Sequence, residues 1–299
     1  MSVIELADIS KKFGKFTALD AVSFNVEEGE VFGFIGPNGA GKTTTLRILL
    51  GMIQATSGEA KIFGKDVWDE AIAIHKRIAY VPGDINLWDN LTGGEVIDFF
   101  LKMQGAYPST KKEAMMKRFD FDPSKKCKNY SKGNKQKVAL IAAFSSDADL
   151  YIFDEPTSGL DPLMEKVFQE SVHELKRNGK SVLLSSHILS EVESLCDKVC
   201  IIREGRVIES GTLSDMRHLT RSTVRLSTRK EINDLSEWIG VHDVKKENDE
   251  WIFLIDSDKW NSFITRVSGF DVEKIESHPP TLEDLFMRHY QDDGGDLDG

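Results

Sequence analysis

The chain of 299 residues has only three cysteines, Cys127, Cys196 and Cys200, and no C-x-x-C pair. Without such a pair, reduced structural thiols are the expectation rather than a redox or metal motif. No apolar run approaches the roughly 18 residues that a membrane span requires. The first ten residues, MSVIELADIS, lack both the basic start and the apolar core of a secretion signal. The protein is therefore expected to stay in the cytosol or to reach a membrane through another protein. Basic residues are also in deficit: 38 Lys and Arg against 49 Asp and Glu give a net charge of −11. Broad nucleic-acid binding needs a basic face, so it is disfavoured, although a local basic patch stays open. What remains, 40% hydrophobic and 29% charged residues, is ordinary for a globular protein long enough for one large domain and a small one.

The chain is organised around Val31 to Leu50, VFGFIGPNGAGKTTTLRILL. Val31 to Ile35 is short and apolar enough for a buried strand. The run Gly36-Pro37-Asn38-Gly39-Ala40-Gly41-Lys42-Thr43 then makes a glycine loop, and Leu46, Ile48, Leu49 and Leu50 mark the apolar side of a helix. Strand, loop and helix in that order are the context of a phosphate-binding P-loop. Gly36, Gly39 and Gly41 let the backbone curl so that several N–H groups face one anion. The helix beginning near Gly41 adds its partial positive charge. Lys42 places a cation between the outer phosphates, and the Thr43 hydroxyl suits Mg²⁺. The motif predicts a nucleoside triphosphate site; it leaves kinase, switch GTPase and motor open.

Residues 2–26 are expected to form strands, with Val22, Phe24 and Val26 on one face. A polar loop, SKKFGKFTALD, separates the first strand from that one and carries Phe13 and Phe16. Either ring can stack on a purine or simply cover the sheet. Glu59 to Phe63 and Arg77 to Val81 read as further strands. Residues 84–145 read as a mostly helical insert. Within it, Val96, Ile97, Phe99, Phe100 and Met103 follow a helical spacing, and Pro108-Ser109-Thr110 opens a second helix. Asn129 to Phe144 gives a third, with Ser131 to Gly133 at its start, where free N–H groups form either an ordinary cap or an anion site.

Leu150 to Glu155 is an apolar strand ending in two carboxylates. Downstream of a P-loop, Asp154 is placed to hold Mg²⁺ through its water shell, and Glu155 to orient or deprotonate an attacking water. Ser181 to Ser185 is another strand, followed by Ser186-His187. In α/β sheets, ligands gather at the strands' carboxyl ends, so His187 is expected near the terminal phosphate. Lys198 to Arg203 and Arg206 to Ser210 are expected to pair as a hairpin through Glu204-Gly205.

These residues, in this order, resemble the ATP-binding subunit of ABC transporters over about residues 1–215. Gly36 to Thr43 resembles Walker A, with Thr44 next to it. Tyr130-Ser131-Lys132-Gly133-Asn134 resembles the signature motif, usually LSGGQ, which is specific to ABC proteins among P-loop ATPases. Asp154 and Glu155 resemble Walker B and its catalytic glutamate. Ser158-Gly159-Leu160-Asp161 resembles the D-loop, and His187 the switch histidine. Phe13 falls where the family keeps its adenine-stacking aromatic. Two departures stand out. Lys132 and Asn134 replace the usual Gly and Gln of the signature. Gly83-Asp84 follows Val81-Pro82 where the family has Gln, a residue that contacts Mg²⁺ and the water; Asp84 is the candidate to take over part of that metal contact.

The resemblance implies a P-loop NTPase core of the ABC ATPase type, an α/β fold with an antiparallel β subdomain and a helical subdomain over about 84–145. It also implies an ATPase cycle with Mg²⁺ in which ATP joins two such domains head to tail. Each ATP would lie between Walker A of one and Ser131 to Asn134 of the other. One motif set per chain requires a second nucleotide-binding subunit, identical or not. The helical insert corresponds to the family's contact surface for a separate multi-span transmembrane subunit, and Leu87, Trp88 and Phe99 either form an apolar cleft there or serve as the insert's own core. Peripheral attachment at the cytoplasmic face of the membrane follows.

From about Thr220 the pattern changes. STVRLST, EINDLSEWIG, WIFLID, KWNSFITRVSG and FDVEKIESH read as strand–helix–strand–helix–strand, a small α+β appendage over 220–290 beyond a nucleotide-binding domain of 1–219. Thr281 to Tyr290 reads as a capped amphipathic helix, and its Thr-Leu-Glu-Asp-Leu-Phe start resembles exporter-type ABC subunits. The acidic, Gly-rich residues 291–299 read as disordered. The leading expectation is the ATPase motor of a membrane exporter. The alternative is a soluble ABC ATPase that remodels ribosomes or nucleic acid. Such proteins usually carry tandem ABC domains or a long coiled coil, and this acidic chain has neither.

Overall fold

The computed structural model describes residues 1–105, 110–218, 221–248 and 250–278. The Pro108-Ser109 start of the second insert helix, the helix read over Thr281 to Tyr290 and the tail fall outside the described residues. Contact clustering divides the chain into two units, Met1–Gly211 and Thr212–Gly299.

The first unit opens with β1 (Ser2–Phe13) and β2 (Phe16–Glu27), an antiparallel hairpin whose strands run to Phe13 and restart at Phe16. The expected polar loop between them is thus a two-residue turn, with Gly14 at φ 60°. Its polar residues lie on strands whose outer face meets water, so low hydrophobicity there marks exposure rather than a loop. Then come β3 (Val31–Ile35), α1 (Lys42–Leu49), β4 (Ser57–Ile62), β5 (Lys65–Asp66), α2 (Ala71–His75) and β6 (Ile78–Val81). The helical stretch follows: α3 (Gly93–Met103), α4 (Thr110–Arg118) and α5 (Lys132–Ser145). A Thr92–Glu95 capping box starts α3, each residue accepting from the other's backbone N–H. The unit closes with β7 (Leu150–Asp154), α6 (Pro162–Arg177), β8 (Ser181–Ser186), α7 (Leu189–Leu195), β9 (Lys198–Arg203) and β10 (Arg206–Thr212).

Two sheets result. One has the order β2-β1-β4-β5 with antiparallel pairing. The other has the order β10-β9-β3-β8-β7-β6, and its pairs from β9 to β6 are parallel. Strands β3, β7 and β8 are buried along their whole length, which is why each carries a run of apolar residues: Val31 to Ile35, Leu150 to Phe153 and Val182 to Leu184. Ile4, Leu6 and Ile9 of the first sheet share a core with Phe32 and Phe34 of β3 and Leu46 and Leu49 of α1. Phe24 stacks on Phe32 with ring centroids 5.3 Å apart. Burying side chains of this size contributes roughly 1.5–3 kcal/mol each. The P-loop is held between the two sheets as a consequence.

In the second unit, α8 (Leu213–His218) leads to β11 (Ser222–Thr228), β12 (Val241–Glu247), β13 (Glu250–Ile255), α9 (Trp260–Val267) and β14 (Val272–His278). Its antiparallel sheet has the order β12-β13-β11-β14. Two details correct the sequence reading. EINDLSEWIG is not a helix: it contains one 3-10 turn, Leu235–Glu237. Ile232, Leu235 and Trp238 are spaced as on a helix and all point into the core, but Asp234 accepts from Trp238 Nε1 at 3.1 Å, and Gly240 at φ 82° turns the chain away. Strand β12 adds to the expected strand–helix–strand–helix–strand series. It is a polar edge strand, VHDVKKE, bulged where Asp243 adopts φ 52°, so it lacks the apolar alternation that announces a strand.

Candidate nucleotide site

The parallel register decides which residues meet. Ile35 pairs with Ser186, Asp154 with Ser185 and Val81 with Phe153. The carboxyl ends of β3, β6, β7 and β8 therefore lie on one edge. The P-loop, Gly83, Asp154-Glu155 and His187 each follow one of these ends directly.

The P-loop is shaped by close backbone packing. A methyl at Gly36 would sit 2.2 Å from the Ile202 carbonyl, and one at Gly41 would meet Leu19 at 2.6 Å. Gly41 is also left-handed, at φ 111°. Ala40 N–H donates to Pro37 O at 3.2 Å, and Gly205 N–H to Ala40 O at 2.9 Å, which pins the loop to the β9–β10 turn. Gly41 caps α1 without a side-chain acceptor, so the first-turn N–H groups stay open toward the loop's concave side. Asn38 and Gly39 are exposed at the rim, and Thr44 is half-buried on the first turn.

Lys42 is 6% exposed, and its ammonium donates to Gly36 O at 2.6 Å and Pro37 O at 3.1 Å. Burial pulls its pKa below the ordinary lysine value, against the opposing pull of Glu155 and Asp154. Thr43 Oγ1 donates to Asp154 Oδ2 at 3.2 Å. Asp154 Oδ1 is buried without a hydrogen-bond partner. Burial pushes the Asp154 carboxyl above the usual carboxylate range. A buried carboxylate oxygen left unpaired beside a threonine hydroxyl has the chemistry of a hard-cation site, so this pair fits Mg²⁺.

Glu155 adopts φ 48°, a strained setting for a residue with a side chain, and its N–H donates to Ser185 O at 2.8 Å. That sharp turn at the strand end brings its carboxylate to His187: Glu155 Oε1 lies 3.3 Å from His187 Nδ1. Sequence reasoning missed what supports His187. Ser186 Oγ donates to Glu191 Oε2 at 2.8 Å and accepts from Ile188 N–H at 3.0 Å, which fixes the turn carrying the histidine. Glu191 is only 4% exposed, and burial raises its pKa. In sequence it looks like a solvent-facing acid in a first helical turn, and no local pattern distinguishes it.

The signature-like residues start α5. Ser131 caps the helix, accepting from Asn134 N–H at 3.3 Å. Gly133 packs on the following loop so closely that a methyl there would lie 2.4 Å from the Gly159 carbonyl. Lys132 Nζ donates to Ser158 Oγ at 2.8 Å. Asp161 caps α6, accepting from Met164 N–H at 3.0 Å. Ser131 is exposed, as is Phe13, at 50%, with Lys11 Nζ 5.0 Å from its ring centroid. Gly83 lies against β7, where a methyl would be 3.2 Å from Asp154 O. Asp84 is exposed. Among the described residues no group of three or more His, Cys, Asp or Glu side chains is arranged to hold a metal.

Comparison with known proteins agrees with this geometry. Residues 19–158 match the family model described as ABC transporter. Bacitracin transport ATP-binding protein BcrA of Bacillus licheniformis is 31% identical over 297 residues, 96% of this chain and 97% of that one. The chain belongs to the ATP-binding proteins of ABC transporters. Like them, it is an ATP-binding and ATP-hydrolysing subunit. ABC transporter ATP-binding protein NatA of Bacillus subtilis is 36% identical over 230 residues, covering 74% of this chain and 94% of that one. A solved structure described as the ATP binding subunit of an ABC transporter superposes with a TM-score of 0.68 at 34% identity, covering 73% of this chain and 92% of its own. Residues 126–193 also match a model described as an AAA domain, putative AbiEii toxin. Residues 211–290 match a model described as the C-terminal domain of DrrA1-3-like ATP-binding proteins, so the appendage too has relatives among ATP-binding proteins. No helix among the described residues is long and apolar enough to cross a membrane.

Proposed function

We propose that this ABC subunit powers an exporter, acting as one of two copies that close head to tail around two ATP molecules and drive a separate transmembrane subunit. The observation that carries the reading is the convergence of Lys42, Thr43, Asp154, Glu155 and His187 on one sheet edge, with Ser131 exposed at the start of α5 for a partner's nucleotide. Open N–H groups of Gly39 to Thr44 and the Lys42 ammonium bind the phosphates. Phe13 offers its exposed face to the adenine. Thr43 and Asp154 hold Mg²⁺, which offsets phosphate charge. Glu155 accepts a proton from the attacking water, and His187 holds the terminal phosphate and keeps Glu155 aimed. Ser131, Lys132, Gly133 and Asn134 face the nucleotide of the second copy, and Asp161 positions the loop between the two sites. Asp84 assists the metal through water; unchanged turnover and Mg²⁺ dependence in Asp84→Ala would remove it from the site.

The transmembrane subunit docks on the helical stretch. Trp88 and Phe99 are both about half exposed and lie edge to face, with centroids 5.2 Å apart. Beside them is a cleft of about 420 Å³ lined by Pro82, Ile85, Leu87, Phe100 and Met103 among others. It adjoins Gly83, whose chain segment touches Asp154, so movement in the cleft reaches the metal end of the site. BcrA, matched along nearly its whole length, is named for bacitracin transport, which supports a role in transport. Gentle detergent extraction of native membranes with the tagged chain tests the reading. A stoichiometric multi-span protein is expected; recovery with ribosomes or nucleic acid instead would overturn transport.

A further inference from the structure

Glu191 is a buried acid that the chemistry given above leaves unused. It lies in the first turn of α7, and its neighbour Val192 presses that helix onto β3: a methyl on Gly33 would meet Val192 Cγ1 at 2.7 Å and Cys196 Sγ at 3.0 Å. The helix is thus braced on the strand that runs into the P-loop. From this brace the carboxyl meets two loops. Its Oε2 accepts from the hydroxyl of Ser186, the residue before His187, at 2.8 Å. Burial raises its pKa, and the hydroxyls of Ser186 and then of Thr157 oppose the rise. Thr157 is also buried and follows Glu155-Pro156, in a turn closed by Ser158 N–H donating to Glu155 O at 3.2 Å. Oε1 of Glu191 has no partner with hydrogen-bond geometry, so the Thr157 contact is the looser of the two. A carboxylate buried with one oxygen unpaired costs stability, so packing alone does not account for an acid at this position.

We infer that Glu191 is a positioning residue for hydrolysis: it ties Thr157 to Ser186 and so sets the spacing of Glu155 and His187. One carboxyl spans the two loops that carry these groups, and α7 holds it fixed against the strand of the P-loop. Glu191 acts only through the two hydroxyls. The inference rests on the reading of Glu155 as the general base given above.

The test is steady-state ATPase kinetics of the full chain, with ATP binding titrated separately. Glu191→Ala lowers kcat about 10- to 100-fold, the cost of letting a reacting group drift by up to about 1 Å. Its KM and Kd for ATP stay within about twofold, because the P-loop is untouched. Glu191→Gln keeps both links, with its carbonyl oxygen toward Ser186 and its amide toward Thr157, and holds kcat within about threefold of the parent. Thr157→Val, of nearly the same shape, cuts one link and lowers kcat about three- to tenfold. In the Glu155→Gln background, Glu191→Ala costs less than about twofold more, since the group it aims is gone. A role in folding alone would lower kcat by the same factor in both backgrounds. Three outcomes overturn the inference while the base reading stands: parental kcat in Glu191→Ala, equal losses in Glu191→Gln and Glu191→Ala, or an equal loss in both backgrounds. Should Glu191→Ala fail to fold, Thr157→Val in the two backgrounds decides by the same comparison. If Glu155→Gln itself keeps near-normal turnover, the base reading falls, and the inference with it.

Discussion

Glu155 Oε1 lies 3.3 Å from His187 Nδ1, although the two residues sit at the ends of different strands, 32 positions apart in sequence. The pairing of β7 with β8 brings them together, and the left-handed turn at Glu155 aims the carboxylate. On the proposed mechanism Glu155 is the general base and His187 keeps it aimed, so turnover needs both members. Glu155→Gln is expected to lower ATP turnover at least 100-fold and to accumulate an ATP-bound dimer on gel filtration. His187→Ala is expected to lower turnover comparably. Near-normal turnover in Glu155→Gln would assign the proton transfer elsewhere.

Asp154 makes an opposite-signed prediction for stability. Burial raises its folded-state pKa above the unfolded value. An acid shifted upward binds its proton more tightly in the folded chain, so its stability contribution is fully present below the unfolded pKa and is lost as pH rises through the folded one. At neutral pH the ionised carboxylate costs stability until a cation joins it. Asp154→Asn is therefore expected to raise the metal-free melting temperature by about 2–4 °C, the shift for ~1 kcal/mol in a chain of this class, while abolishing turnover. Mg²⁺ with ATP should stabilise the parent more than the variant. A lower melting temperature for metal-free Asp154→Asn in calorimetry would contradict the account.

Gly133→Ala tests the contact between α5 and the Gly159 loop. Its methyl would arrive 2.4 Å from a backbone carbonyl, so the loop must move. A stability loss of about 1–3 kcal/mol is expected in urea unfolding, with turnover reduced and ATP still bound by the P-loop. An unchanged midpoint would mean that the loop yields freely.

Trp88→Ser with Phe99→Ser removes two half-exposed rings. Both rings also pack on each other and on Phe100, so the melting temperature of the isolated chain should fall modestly, while ATP binding should hold. Co-purification of the multi-span partner should fail. Retained co-purification would show that both rings serve the insert rather than a partner.

Much of this site was legible locally. The P-loop is contiguous, and its glycines, lysine and threonine act within a dozen residues, so their spacing alone carries the chemistry. Asp154-Glu155 and His187 were legible because buried parallel strands write themselves as apolar runs, and the residue after each run lands on the ligand edge. The exposed strands were another matter. Ser10 to Asp20 and Val241 to Glu247 carry polar residues on strands that face water, and neither alternates cleanly enough to separate strand from loop.

The sequence by itself determined the nucleotide chemistry, the parallel core and the family, because each depends on short-range spacing. Only the tertiary structure decided that Glu191 supports the His187 turn, that Asp154 keeps an unpaired buried oxygen, that Gly83 abuts Asp154, and that Lys132 reaches Ser158. These contacts join elements distant in the chain or depend on which way a side chain is buried. Burial and the pairing of remote strands are properties of the packed whole, and no local run of residues encodes them.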